Sequence, residues 1–381
     1  MILALKRYLV LFRGMFTIFL VALKCYKNTF KAVTAIRLHA DFRKKVHGHQ
    51  RYPKYYHANG KYFMSMNIPG FPSVAFDKFI RNELNIFYPY KSQQAHLQLA
   101  VFSITSQCPL KCRHCFEWDR LNGSELLSVD QLKIIQKKIE DYGVCQIQYT
   151  GGEPMVRINE LIELLKLKSA STDSWVFSSG YNLTLANANQ LKESGLTGIV
   201  LSLDHWDAAK HNDFRRNEHA FDWAVAAAGN VVEADLALSL SICPTREFVS
   251  KENLFKYLQL AHRLKAGFIQ ILEPRKVGRF KSEDVSLHPE QMKMLEDFML
   301  VVNNNRKYRR MPTVIYPGYH QRILGCAGAG HRYIYVDSAG NIHACPFCQG
   351  TTGNCLGNDM FELIERLKTR GCHEFQKVLI T

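Results

Sequence analysis

From residue 97 onward, short β-branched or aromatic runs alternate with longer stretches of helical period, and this alternation predicts a parallel α/β sheet. Strands are expected at 97–104, 146–149, 174–178, 198–202, 236–242 and 268–272. Helical patterns lie between them at 129–141, 159–168, 185–194, 220–232 and 251–264. Every unusual cluster of residues falls just after one of these strands. The cluster Cys108, Cys112, Cys115 follows the first, Gly151-Gly152-Glu153-Pro154 the second, and Ser179-Gly180 the third. Asp204 follows the fourth, Pro244 and Arg246 the fifth, and Glu273-Pro274-Arg275 the sixth. In a parallel barrel the loops at the carboxyl ends of the strands open onto one face, where active sites are built. The expected fold is therefore α/β, a partial (β/α)6 TIM-type barrel.

A chain of 381 residues, 47% aliphatic or aromatic, can bury a substantial core. Eleven cysteines at uneven spacings argue against a paired extracellular framework and for metal or redox chemistry in a reducing compartment. The net charge of +15 is concentrated at one end, because residues 1–55 hold twelve Lys or Arg and a single acid, Asp41. That placement gives the main domain no nucleic-acid-binding face.

The stretch SQCPLKCRHC places three thiols within eight positions. A closed tetrahedral zinc site or a fully ligated four-iron cluster needs four protein ligands. Zinc would have to borrow Cys345 and Cys348, far beyond the usual spacing of a zinc ribbon, or His114 from within the same loop. The alternative is a [4Fe–4S] cluster held at three irons, with the fourth open to a small molecule.

CPLKCRHC resembles the CxxxCxxC cluster loop of the radical S-adenosylmethionine (SAM) superfamily, and GGEP after the second strand strengthens the likeness. The resemblance covers roughly residues 97–280. It implies that Cys108, Cys112 and Cys115 hold a [4Fe–4S] cluster whose open iron takes the amino and carboxylate groups of SAM. It further implies that Gly151, Gly152, Glu153 and Pro154 line the SAM amino group and that Ser178 and Ser179 lie near the ribose. Ser202 and Asp204 would face SAM or substrate, and Leu272 would lie near the adenine. Taken singly, these segments also suit plain turns, caps and helix stops.

After residue 285 the pattern changes. Cys326, a strand-like stretch at 331–336, the turn Asp337-Ser338-Ala339-Gly340, Cys345, Cys348, Cys355 and Gly357-Asn358 resemble the SPASM extension behind many radical SAM barrels. The likeness implies an auxiliary [4Fe–4S] cluster on Cys326, Cys345, Cys348 and Cys355, with Cys372 a late fifth candidate. Zinc on the same four thiolates is the alternative. Cys25, Cys145 and Cys243 read as packing residues.

At the N-terminus, Lys6, Arg13, Lys24, Lys27 and Lys31 fall on one helical stripe. Leu11, Phe12, Met15, Ile18, Phe19, Leu23, Tyr26 and Phe30 face away from it. This predicts a basic amphipathic helix suited to an anionic membrane surface, or else one packed on the protein's own body or a partner. Arg13 interrupts the apolar run and disfavours a spanning helix. The expected organisation is 1–39 amphipathic helix, 40–96 irregular lead-in with a short helix at 73–82, 97–285 barrel, and 286–381 a small α+β cluster-binding extension.

The family likeness implies reductive cleavage of SAM to a 5′-deoxyadenosyl radical that takes hydrogen from a substrate. It implies a flavodoxin- or ferredoxin-type electron donor and a cytoplasmic location, peripheral on the inner face of the membrane if the helix docks there. Peptide or protein modification is the first expectation. A lipid, tetrapyrrole or other membrane-near small molecule is the second, and a non-catalytic iron–sulfur or zinc protein the third.

Overall fold

The computed structural model describes residues 4–47, 54–91, 97–372 and 374–375, with side chains of the first two helices described from 7 to 44. Where the sequence predicts one N-terminal helix there are two, α1 (Ala4–Tyr26) and α2 (Thr29–His47). The break comes at Lys27, whose φ of 50° is left-handed, and at Asn28, whose side-chain oxygen accepts from the Lys31 amide at 3.0 Å and caps α2. Lys6 of the basic stripe has its side chain outside the described residues, as do Arg51, Tyr52 and Pro53 of the lead-in.

The lead-in forms a small hairpin, β1 (Tyr56–Ala58) and β2 (Lys61–Phe63), followed by α3 (Val74–Phe87). Ser73 caps α3 by accepting from the Phe76 amide at 3.0 Å. α1, α2 and α3 share a core in which Ala22, Ala32 and Ala35 let the helices approach, against Phe71, Phe76 and Phe79.

The organised body runs β3 (Leu99–Ser103), α4 (Val129–Asp141), β4 (Gln146–Thr150), α5 (Ile158–Leu167), β5 (Asp173–Ser178), α6 (Leu185–Glu193) and β6 (Gly198–Ser202). It continues with α7 (Ala208–Arg215), α8 (Ala220–Glu233), β7 (Ala237–Ile242), α9 (Lys251–Arg263), β8 (Phe268–Ile271), α10 (Pro289–Asn304) and β9 (Thr313–Ile315). α11 (Pro317–Leu324), β10 (Tyr333–Val336), β11 (Asn341–Cys345), β12 (Cys348–Asn354) and α12 (Met360–Arg370) complete it. All six expected strands form, each within two residues of its expected ends.

One ten-stranded sheet carries them in the order β12-β11-β10-β3-β4-β5-β6-β7-β8-β9. Strands β3 to β9 are parallel, β10 pairs parallel with β3, and β11 and β12 add antiparallel strands. The C-terminal segment thus extends the barrel sheet at its β3 edge. β9, a seventh parallel strand, is only three residues long, too short for a period to show. α7 was also unexpected, because its sequence AAKHNDFR carries no apolar stripe.

The parallel strands alternate. Ala100, Phe102, Ile147, Tyr149, Ile199, Leu201, Leu238 and Leu240 pack beneath the helices in the main core. Their neighbours Val101, Gln148, Phe177, Ser241 and Gln270 face a cavity inside the barrel. Where the strands begin, Tyr56, Phe63 and Met66 of the lead-in plug the lumen against Trp175, Val200, Ala237 and Phe268. The lumen is closed below, and the loops after the strands build the site above.

Candidate active site and thiol groups

The cavity has a volume of about 650 Å³. At the carboxyl ends of the strands its wall holds Cys108, Cys112 and Cys115, then Gly151, Gly152 and Glu153, then Ser178 and Ser179, and finally Ser202, Asp204 and Leu272. One opening therefore collects residues of five of the six clusters that the sequence placed after the strands; of the fifth, Pro244 and Arg246 lie off its wall, where Arg246 instead binds Asp284 and the Ser286 carbonyl. Pro154 lies just behind, opening a short 3-10 turn.

The triplet loop and the GGEP loop are stitched together through backbone. The Gly152 amide donates to the Thr105 carbonyl at 2.8 Å and the Glu153 amide to that of Gln107 at 2.8 Å. A Cβ on Gly152 would sit 2.2 Å from the Gln107 oxygen, and one on Gly151 2.5 Å from the Thr105 oxygen. The glycines are thus required by the approach of two protein strands to each other, beside any approach to a ligand. Across the triplet lies the loop after β8, where Gly278, at a φ of +52°, has no room for a Cβ beside the Cys115 carbonyl.

Glu153 is almost fully buried. Its Oε1 accepts from Ser178 Oγ at 2.9 Å and the Met155 amide at 3.2 Å; its Oε2 accepts from the Ser179 amide at 2.7 Å and Ser179 Oγ at 2.6 Å. Burial raises its pKa and these four donors counter that only in part. The serines expected near a ribose therefore spend their hydroxyls on the expected ammonium acceptor. The three form one polar cradle on the cavity wall.

Arg215 of α7 was invisible in the sequence, where it reads as one more charge in a polar stretch. In the fold it is buried, with Nε 2.6 Å and Nη2 2.5 Å from Asp204 Oδ2 and Nη1 3.6 Å from Cys112 Sγ. The other Asp204 oxygen accepts from the Cys243 amide at 2.9 Å. Burial would push the Asp204 carboxyl up, but Arg215 and the nearby histidines hold it below its ordinary range. Arg215 thus anchors the loop after β6 and supplies positive charge beside a triplet thiol.

Burial raises all three triplet thiols, Cys115 to about 12. Three adjacent thiolates are stable there only with a cationic centre among them. No group of three or more His, Cys, Asp or Glu stands close enough to hold a single metal ion among the described residues. The His114 ring stacks on Phe214 at 4.8 Å. Three separated thiols on one wall fit a multinuclear cluster with an open corner better than a zinc ion with Zn–S bonds of about 2.3 Å.

A second thiol group lies beyond the β10–β11 hairpin, whose turn uses Gly340 at φ 82° as expected. The Cys372 thiol meets those of Cys326 and Cys348, and Cys348 meets Cys345 across the tight turn between β11 and β12. The Tyr333 phenol is within electrostatic reach of all four. Cys355 is not brought into this group. It is fully buried in the main core, and its charged neighbours are Lys138 and Asp337. The two thiol groups approach through aromatic rings: Phe116, next to Cys115, meets Phe347, which lies between Cys345 and Cys348, at 6.4 Å.

Residues 102–255 match the model of the Radical SAM superfamily. The mycofactocin maturase of Mycolicibacterium smegmatis is 29% identical over 272 residues, 68% of each chain. The PqqA peptide cyclase of Bradyrhizobium diazoefficiens is 25% identical over 266 residues, 68% of this chain and 69% of that one. Among solved structures, Streptococcus suis SuiB bound to precursor peptide SuiA superposes with a TM-score of 0.58 at 17% identity, over 70% of this chain and 64% of SuiB. With the cysteine triplet, the GGEP loop and the parallel barrel in their places, residues 102–255 of this chain form a radical SAM domain.

Proposed function

We propose that the protein is a radical SAM enzyme that modifies a peptide or protein. The observation that carries this reading is the three-thiol wall of a closed-bottomed cavity, around which no single-metal group of His, Cys, Asp and Glu forms among the described residues. The cluster with SAM supplies reductive cleavage to a 5′-deoxyadenosyl radical that takes hydrogen from an unreactive carbon. The chain's own residues do the rest. Cys108, Cys112 and Cys115 hold the cluster, and Arg215 balances its thiolate charge. Glu153 with Ser178 and Ser179 offers a fixed polar edge for the SAM amino and ribose groups. The plugged lumen excludes water and stray hydrogen donors. Peptide chemistry is supported by the kinship with the mycofactocin maturase and the PqqA peptide cyclase.

For the auxiliary site the reading is a [4Fe–4S] cluster on Cys326, Cys345, Cys348 and Cys372, with Cys355 a core residue. Anaerobic reconstitution should give two clusters per chain, and dithionite with SAM should give 5′-deoxyadenosine. Absence of that product overturns the enzyme reading.

The location proposed is the face of an anionic membrane. α1 buries Val10, Val21 and Ala22 against its own body but leaves Leu9, Phe12 and Met15 more than 60% exposed. Exposed Arg13 and Lys24 border that stripe. Among the described residues one helix segment, Arg7–Tyr26, is long and apolar enough to cross a bilayer. Its packing along α2 and α3 favours lying in the headgroup region instead. Flotation with vesicles containing phosphatidylglycerol should carry the protein up, and neutral vesicles should do so less. Equal flotation of a chain starting near residue 54 removes this reading.

A further inference from the structure

Away from the thiols the cavity wall carries cations. Lys54, 8% exposed, lines it, and its Nζ donates to the Met311 and Pro312 carbonyls at 3.3 and 3.2 Å just before β9. Among the described residues no carboxylate pairs with it. Arg43 of α2 lines the same cavity and likewise has no ion-pair partner among them. The acid nearest Arg43 is Glu83, which is engaged by Arg332, by Gln98 and, at 3.4 Å, by His39. Arg43 and Arg332 thus share one carboxylate, and buried Lys54 has none.

Uncharged groups there are also unspent. Gln270 Oε1, Asn304 Oδ1 and Thr313 Oγ1 are buried without a hydrogen-bond partner, and all three residues line the cavity. Burying a cation without a counter-ion is costly, and buried polar atoms are normally satisfied. A site with both features is shaped for something it receives.

We propose that this end of the cavity is a subsite for a carboxylate of the substrate, held by Lys54 with the neighbouring Thr313 hydroxyl as a further donor. The inference rests on the radical SAM reading for the meaning of the cavity's other end. There the reacting carbon would lie, so the subsite fixes which carbon of a carboxylate-bearing substrate is presented to it. The walls between include Val101 and Phe177, which suits an apolar body joining the two. Burial lowers the Lys54 pKa to about 7, so an ionised carboxylate finds it charged below neutrality and increasingly neutral above. His39, Arg43, Glu83, His320 and Arg332 are the other titratable or charged groups on this part of the wall.

Isothermal titration calorimetry of the reconstituted protein with two acid–amide pairs tests this. The pairs are octanoate with octanamide, and an apolar pentapeptide with its C-terminal amide. At pH 6 the acid of at least one pair should bind about 10- to 100-fold more tightly than its amide, and the pair that discriminates identifies the source of the carboxylate. The preference should shrink by pH 8.5. Lys54→Met should abolish the pH dependence, and Lys54→Arg should keep acid preference at both values. Equal binding of acid and amide in both pairs overturns the proposal without recourse to any variant, as does an acid preference unchanged in folded Lys54→Met. Calorimetry needs no turnover, so its failure leaves SAM cleavage standing, and a failure of SAM cleavage leaves the calorimetric result standing.

Discussion

The two thiol groups are assembled in opposite ways. The triplet comes from a single loop, so eight consecutive residues set its spacing, and its supports are backbone bonds to neighbouring loops. The auxiliary group gathers Cys326 before a hairpin, Cys345 and Cys348 at the turn from β11 to β12, and Cys372 beyond α12. The first is local chemistry presented by a barrel. The second exists only when three separate segments have folded together, so a cysteine near in sequence, Cys355, can lose its place to one farther away.

The sharpest way to break this comparison is Cys112→Ala. It should reduce 5′-deoxyadenosine to background in the dithionite assay while leaving the iron of the auxiliary site. Loss of both clusters would show that the sites are not independent. Next comes the pair Cys372→Ser and Cys355→Ser. The first should lower iron and sulfide by one cluster. The second should keep both clusters and cost about 1–3 kcal/mol in chemical denaturation, because it buries a hydroxyl in an apolar core. The reverse pattern would restore Cys355 as the ligand.

Arg215→Met tests the support of the triplet. Leaving Asp204 buried and unpaired should cost about 3–5 kcal/mol, and the loss of charge beside Cys112 should weaken cluster retention about 10- to 100-fold. Asp204→Asn combined with Arg215→Met should recover most of the stability and little of the retention.

A pH dependence of folding is also expected. Unfolded Lys54 keeps its proton to about pH 10.4, whereas the folded residue releases it near 7. The unfolded state therefore binds more protons between these values, and stability should rise with pH across that window. Denaturation midpoints at pH 7 and 9.5 should show a smaller rise in Lys54→Met.

Much of this was legible beforehand, for definite reasons. Strands buried on both faces announce themselves as β-branched runs, and helices such as α4 by their apolar stripe, so the barrel's order could be read directly. The triplet and GGEP were legible because they act within a few residues of chain. α7 was not, and with it went Arg215, whose partners Asp204 and Cys112 lie 11 and 103 positions away. Nor could the amphipathic N-terminus show its third face. The residues that α1 buries against α3 and those it leaves exposed are equally apolar in sequence.

By itself, then, the sequence determined the parallel barrel, the mouth where its loops converge and the three-thiol loop, since each follows from short-range periodicity or spacing. Tertiary structure alone decided that Ser178 and Ser179 turn to Glu153, that Arg215 stands beside Cys112, that Cys372 joins the second thiol group, and that Lys54 and Arg43 line the cavity. These pairings join residues whose separation along the chain has no period, and only the packing of the folded chain brings them within reach of one another.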